Sequence, residues 1–321
     1  MEIKLKVYRG FASDSRLHVS GHVFKKIDPS SFNLEYNLIR YAYNMWRTFN
    51  IETISDLEVK LDFQGLTATT KTDNKGYYEF QLDHNLNLSP NWYKVGVKAK
   101  HNNQLITQYG EILKAAGGSG IISDIDDTFL VSHSNSIFKK LYVLLTKNLT
   151  KRKFFDGVLE HYQQLAYFKS PELQPSLFFY VSSSEWNLYN FIEKFTLLHG
   201  FPKAALFLKS IKSGVFDLLF SGGGKHEHKF ERIEYIFHFY PNRKFVLLGD
   251  DSQKDPFIYS RLTKKYPEQV RGIYIRQVER KPKPRIKELL GEIDQENITN
   301  CYFKDSQVAI KHSKENGLIK I

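Results

Sequence analysis

Asp124 and Asp126 stand two residues apart in the stretch Ile121-Ile122-Ser123-Asp124-Ile125-Asp126-Asp127-Thr128. Side chains alternate between the two faces of an extended chain, so both acids fall on one side. Carboxylates this close repel each other, and a shared proton or a bound cation must offset the repulsion. Mg2+ suits the position, because it takes hard oxygen ligands and keeps room for water and a phosphate oxygen. An acidic turn closing a strand would show the same Asp-x-Asp, so the chemistry has to be weighed with the rest of the chain.

Three later stretches carry groups of matching type. Ser182-Ser183-Ser184 follows the apolar run Leu177-Phe-Phe-Tyr-Val181. Gly222-Gly-Gly-Lys225-His-Glu-His-Lys229 precedes a helical stripe of Phe230, Ile233, Phe237 and Tyr240. Gly249-Asp250-Asp251-Ser252-Gln253-Lys254-Asp255 follows Phe245-Val-Leu-Leu248. Hydroxyls and ammonium groups donate to phosphoryl oxygens, and carboxylates hold a metal or move a proton. The glycine loop is not a P-loop, since no hydroxyl follows Lys225 and no strand runs directly into it. His226 and His228 lack the i, i+4 spacing of a zinc-binding helix.

The elements that must position these groups follow from the pattern of apolar runs. Short runs at 120–123, 177–181, 205–208, 245–248 and 272–275 alternate with helical stretches near 136–150, 156–168, 186–199, 228–240 and 256–266. That alternation predicts an α/β domain, a parallel sheet with helices on both faces. Ligands of such sheets bind beyond the carboxyl ends of the strands, where Asp124, Ser182 and Asp250 would gather.

Residues up to about 114 carry a different signature. Strands are expected at 19–24, 57–63, 65–72, 77–82 and 92–99, with a turn at Thr72–Gly76, which predicts an antiparallel β-sandwich. Asn37–Phe49 reads as a helix or an aromatic-rich insertion, and no catalytic constellation is evident in this half. The small residues Ala115–Gly120 mark a boundary. The expected division is therefore a β-sandwich accessory domain at 1–116, a catalytic domain at 117–280 and a C-terminal extension at 281–321 packed on it. The extension reads as a connector, Arg280-Lys-Pro-Lys-Pro-Arg285, then one helix and a polar tail.

Taken in order, the four polar motifs resemble the haloacid dehalogenase superfamily, whose phosphatases carry Asp-x-Asp-x-Thr, a strand-terminal Ser or Thr, a Lys at a helix start and Gly-Asp with a further acid. Asp-Ile-Asp-Asp-Thr128, Tyr180-Val-Ser-Ser-Ser with Trp186, and Gly249-Asp-x-x-Gln-Lys-Asp-Pro-x-x-Tyr259 are similar to the actin-patch-protein type of magnesium-dependent phosphatidate phosphatase. The likeness spans residues 120 to about 276. It implies a haloacid-dehalogenase-like Rossmannoid domain with little or no cap, hydrolysing phosphatidate to diacylglycerol. Asp124 would be the nucleophile that forms an aspartyl phosphate, and Asp126 the acid and base. Ser182 and Lys229 would bind the phosphoryl group, with Thr128, Ser183 and Lys225 as further substrate contacts. Asp124, Asp126 and Asp250 would hold Mg2+, with Asp251 and Asp255 as further ligands or as support behind them. Asp251-Ser252 stands where the family has Ser-Gly, which leaves Asp250 and Asp251 both open as the main metal ligand. Lys225 and Lys229 likewise both remain open as the phosphate-binding lysine. A phosphatase of soluble esters or nucleic-acid ends, and a binding protein with a vestigial site, are the competing readings.

Composition bounds the setting. A chain of 321 residues can hold two cores. The net charge of +11 is uneven: residues 1–118 carry 15 basic and 12 acidic groups, and the rest carry 31 and 23. A positive surface favours anionic partners, and a phospholipid at a membrane surface is expected rather than nucleic acid. Lys139–Lys153 holds six basic residues and no acid, interleaved with apolar ones. Such a stretch could rest on an anionic bilayer, or form a helix with one core face and one solvated face. One cysteine, Cys301, excludes an intrachain disulfide. With no signal-type or membrane-spanning stretch in view, the expectation is a cytoplasmic protein, peripheral at the membrane.

Overall fold

The computed structural model describes residues 3–25, 52–125, 155–167, 176–209, 227–294 and 298–319. These form two compact units, one reaching Ala116 and the other beginning at Gly117.

The first unit contains β1 (Lys4–Val7), β2 (Gly10–Ala12), β3 (Arg16–Phe24), β4 (Glu58–Phe63), β5 (Leu66–Lys71), β6 (Tyr77–Asp83), β7 (Asn91–His101) and β8 (Gln104–Lys114). They hydrogen-bond in the order β1-β3-β2-β8-β7-β4-β5, with β6 joined to β3. The ladders are antiparallel except that between β2 and β8. In β4 the alternation is strict: Val59, Leu61 and Phe63 are buried, while Glu58, Lys60 and Asp62 face water. The β7–β8 hairpin turns through Asn102 and Asn103, with φ of 47° and 62°. Two left-handed residues match the right-handed twist of the flanking strands, and Asn tolerates that conformation. Residues from β1, β3, β4, β6, β7 and β8 meet in one apolar cluster, with Leu66 and Ala68 of β5 packed against it. A continuous sheet whose strands share one core must curl around that core.

The second unit contains β9 (Gly120–Ser123), α1 (Val158–Tyr167), β10 (Phe178–Glu185), a 3-10 turn (Trp186–Leu188), α2 (Tyr189–Leu198), β11 (Ala205–Lys209), α3 (Glu227–Phe239), β12 (Phe245–Asp250), α4 (Asp255–Lys265), a second 3-10 turn (Pro267–Gln269), β13 (Val270–Arg276), α5 (Pro284–Asp294), β14 (Thr299–Phe303) and α6 (Ser306–Glu315). The strand order is β11-β10-β9-β12-β13-β14, and every ladder is parallel. Both β9 and β12 are buried at every position, as expected of strands covered on both faces. Counted from β9 this is the doubly wound order 3-2-1-4-5-6, which reverses direction between β9 and β12. Right-handed crossovers then place helices on opposite faces on either side of the reversal. Accordingly α4 packs with α3 and α5, whereas α1 packs with α6.

One reading of the sequence needs correction here. The stretch taken for a polar tail forms β14, which pairs with β13 in register Tyr274↔Cys301, and then α6. Polar residues hide both elements: β14 begins Thr-Asn at the edge of the sheet, and α6 buries only a narrow face of Ser306, Ala309, Ile310 and Ser313. The start of α6 was nonetheless encoded, because the Asp305 carboxylate accepts the Gln307 N–H at 2.9 Å as an N-cap. The expected helix at 136–150, the Asn37–Phe49 insertion and the basic stretch 139–153 lie outside the described residues.

Candidate active site

The switch point between β9 and β12 is where the acids converge. Asp124 follows the last residue of β9, and its N–H donates to the Leu248 carbonyl of β12 at 2.9 Å. The Ser123 hydroxyl donates to the Asp124 carbonyl at 2.7 Å and lies 2.7 Å from the Tyr162 hydroxyl of α1. The Tyr259 hydroxyl of α4 donates to the Leu248 carbonyl at 2.9 Å. The strand ends that carry Asp124 and Asp250 are thus pinned by hydrogen bonds from helices flanking the sheet.

Asp250 ends β12, and Asp255 opens α4 four residues after Asp251. Gly249 lets Asp255 approach: a Cβ at this glycine would lie 2.7 Å from Asp255 Oδ2 and 2.9 Å from Tyr259 Cε2. Asp124, Asp250 and Asp255 each offer a carboxylate oxygen, and these atoms lie within 4.8 Å of one another. None of the three residues is more than 1% exposed. Lys229, in the first turn of α3, reaches into the same space, with Nζ 3.1 Å from Asp124 Oδ1 and 2.5 Å from Asp255 Oδ1. Gln253 Nε2 donates to Asp124 Oδ2 at 3.3 Å. Asp250 Oδ1 accepts the N–H groups of Ser252 and Gln253 at 2.6 and 3.2 Å, which closes the loop around it.

Burial disfavours charge on Lys229, but the adjacent Asp124 and Asp255 carboxylates outweigh it and hold the ammonium above its ordinary pKa. Burial, followed by repulsion from Asp255, pushes Asp250 up to about 7. With all three acids ionised, one ammonium would leave this pocket two charges negative, the deficit one divalent cation would fill. Asp255 Oδ2 is buried with no hydrogen-bond partner among the described residues. The donor set is all carboxylate oxygen, which suits a hard cation. A divalent metal therefore fits these residues.

Asp251 has other business. Its carboxylate accepts the Val278 and Glu279 N–H groups at 2.8 and 3.4 Å and the Tyr302 hydroxyl at 2.7 Å. Its N–H donates to the Arg276 carbonyl at 3.0 Å, and its carbonyl accepts Lys283 Nζ at 2.5 Å. Asp251 so fastens the loop to β14 and to the segment after β13, while its neighbour Asp250 faces the acid cluster. Ser182 is fully buried on β10, two residues past the Tyr180↔Ser123 pair, hence at the same sheet edge. Its hydroxyl oxygen accepts the Ser184 N–H at 2.9 Å. Ser183 is half-buried beside it. Asp126, Thr128 and Lys225 lie outside the described residues.

Sequence reasoning missed Gln253, Ser123 and Tyr162 as parts of this site. Gln253 stood inside a quoted motif and could have been found by asking which loop side chain reaches back to Asp124. Tyr162 has no local signal, because only the tertiary fold brings α1 onto the end of β9.

A family model described as the catalytic domain of phosphatidate phosphatase APP1 matches residues 119–277. Phosphatidate phosphatase APP1 of Saccharomyces cerevisiae is 28% identical over 163 residues, covering 50% of this chain and 26% of the yeast protein. The chain thus matches 26% of the length of that curated relative. Among solved structures, a carbohydrate acetylesterase from Xanthomonas citri aligns over 90% of this chain and 65% of its own, at 8% identity and a TM-score of 0.33. A β-glucuronidase from Parabacteroides merdae aligns over 94% and 40%, at 8% identity and a TM-score of 0.30. Structural likeness at that level carries no inference about fold or activity.

Proposed function

From the premise that residues 119–277 belong to the family of the APP1 phosphatidate phosphatase catalytic domain, we propose that this chain is a magnesium-dependent phosphomonoesterase of the haloacid dehalogenase type. Its first-choice substrate is phosphatidate, hydrolysed at a membrane surface to diacylglycerol and phosphate. The reading is carried by one observation: Asp124, Asp250 and Asp255 are buried within 4.8 Å of one another, with Lys229 among them. Buried carboxylates gathered at a sheet switch point, Asp250 among them pushed up by burial, mark a functional site with a physical rationale. The doubly wound strand order supports the superfamily assignment. The unit up to Ala116 is then an accessory domain, and the residues after about 280 are an extension of the catalytic one.

In this mechanism an Asp124 carboxylate oxygen attacks phosphorus, and the bond from phosphorus to the leaving alcohol oxygen breaks. Asp126 gives its proton to that oxygen. It then takes a proton from the water that attacks the aspartyl phosphate, releasing phosphate and restoring Asp124. Lys229 supplies a fixed positive charge from a helix N-terminus, and the Ser182 hydroxyl donates to the phosphoryl oxygens. Asp124, Asp126 and Asp250 would hold Mg2+, with Asp255 beside them. Negative charge on the transferring oxygens is offset by that ion when bound. Asp250 rather than Asp251 is the metal ligand in this reading, because the Asp251 carboxylate is spent on backbone N–H groups and Tyr302.

The test uses the full chain and an Asp124→Asn variant, with Mg2+ or with chelator, on phosphatidate vesicles and on a panel of soluble phosphate esters. Phosphate released from the vesicles should fall at least about 1,000-fold on substitution or chelation. Release from soluble esters alone would remove the lipid reading, and no metal-dependent release from any ester would remove the phosphatase.

A further inference from the structure

We propose that Gln253 is a positioning residue that fixes the carboxylate of Asp124 for attack and couples it to Asp250. The inference rests on the reading of Asp124 as the phosphoryl acceptor. Two separate contacts carry it. The Gln253 side chain donates from Nε2 to Asp124 Oδ2 at 3.3 Å, while its main-chain N–H donates to Asp250 Oδ1 at 3.2 Å. One residue thus reaches both acids, from a loop that begins where β12 ends.

The chemistry explains why an amide serves here. Lys229 Nζ is an ion-pair partner 3.1 Å from Asp124 Oδ1, and Gln253 donates a hydrogen bond to Oδ2, so the two carboxylate oxygens face different groups and the plane of the carboxylate is set. A nucleophile held in one orientation reacts faster than one that must first find it. A second cation at Oδ2 would fix the plane too, but it would draw electron density from the nucleophile. A neutral N–H orients without that penalty, and side-chain length matters, since Asn is one methylene shorter than the Gln that spans 3.3 Å to Asp124. Gln253 is only partly buried, so its side chain can be changed without opening the core.

The experiment compares Gln253→Met, nearly isosteric and without a donor, with Gln253→Glu, isosteric and of like charge to Asp124. Steady-state hydrolysis and thermal unfolding of the full chain are measured. So is capture of beryllofluoride, an acyl-phosphate mimic, in Mg2+ buffer by fluorine NMR. A hydrogen bond to a charged group of this kind predicts a fall in kcat of about 10- to 100-fold for Gln253→Met, with KM within about 3-fold. Beryllofluoride affinity should fall by a similar factor and the melting temperature should hold; Gln253→Glu should be the weaker of the two variants. Wild-type kcat and beryllofluoride affinity in Gln253→Met would overturn the proposal, as would losses that merely track a lower melting temperature. Wild-type protein that captures beryllofluoride yet releases phosphate from no ester would sink the substrate reading and leave this one standing. Wild-type protein that captures none would sink both.

Discussion

The two units bury polar groups in opposite ways. In the first, the Tyr8 hydroxyl lies 2.8 Å from His22 Nδ1, and burial pushes that imidazole down to about 3, so it stays neutral. His18 lies 3.4 Å from Glu79, Arg9 lies 3.9 Å from Glu111, and Lys114 pairs with Asp14. Arg9 and Lys114 meet opposite charges there. At the sheet edge of the second unit, three carboxylates share a buried space with one ammonium, and Asp250 is pushed up to about 7. Burying like charges together costs stability that a purely structural core would avoid. The contrast holds within the second unit as well, where buried His161 and Ser313 form a neutral pair at 2.8 Å away from the acids. Polar burial that balances itself builds the fold, and polar burial left in deficit points to a ligand.

The largest effect that would break this contrast comes from removing one lysine in each unit. Lys229→Met leaves the buried acids without their cation, so phosphate release should fall by about 1,000-fold or more, and the metal-free protein should lose about 3–5 kcal/mol. Lys114→Met breaks a pair whose Asp14 side chain is fully exposed, and should leave stability close to that of the wild-type chain. Urea unfolding and phosphate assays on both variants give the comparison, and equal losses would erase it.

A smaller effect sharpens it through pH. Asp250 has a folded pKa above the ordinary carboxylate value of 3.8, so the folded state holds that proton more tightly than the unfolded chain does. Its penalty is absent below about 4 and grows as pH rises through about 7. His22 has the reverse sign: its folded pKa of about 3 lies below 6.5, so it costs stability as pH falls below the unfolded value. Mg2+ should therefore raise the melting temperature more at pH 8 than at pH 5, because ionised Asp250 is what the ion relieves. The same rise at both values would contradict the charge deficit.

How much of this was legible in the sequence depended on whether local pattern or tertiary packing decided the outcome. Val59, Leu61 and Phe63 alternate, and Ile121-Ile122 and Phe245–Leu248 are unbroken apolar runs, so β4, β9 and β12 announced themselves. The strand β8 did not, because Leu105 and Tyr109 are exposed against the pattern. Asp124, Asp250 and Lys229 stood out by type and spacing at element ends. The separate tasks of Asp250 and Asp251 did not, since only pairing with β13 and the reach of Tyr302 turn one acid away from the other. Asp255 read as a supporting group; its place beside Asp124 depends on the missing side chain of Gly249.

The central claim is that Asp124 takes the phosphoryl group. Quenching the wild-type chain during turnover of phosphatidate vesicles with Mg2+, then reducing with tritiated borohydride, converts an aspartyl phosphate to labelled homoserine. The account predicts label at position 124 and none in Asp124→Asn; label at another residue, or steady phosphate release with no trapped adduct, would contradict it.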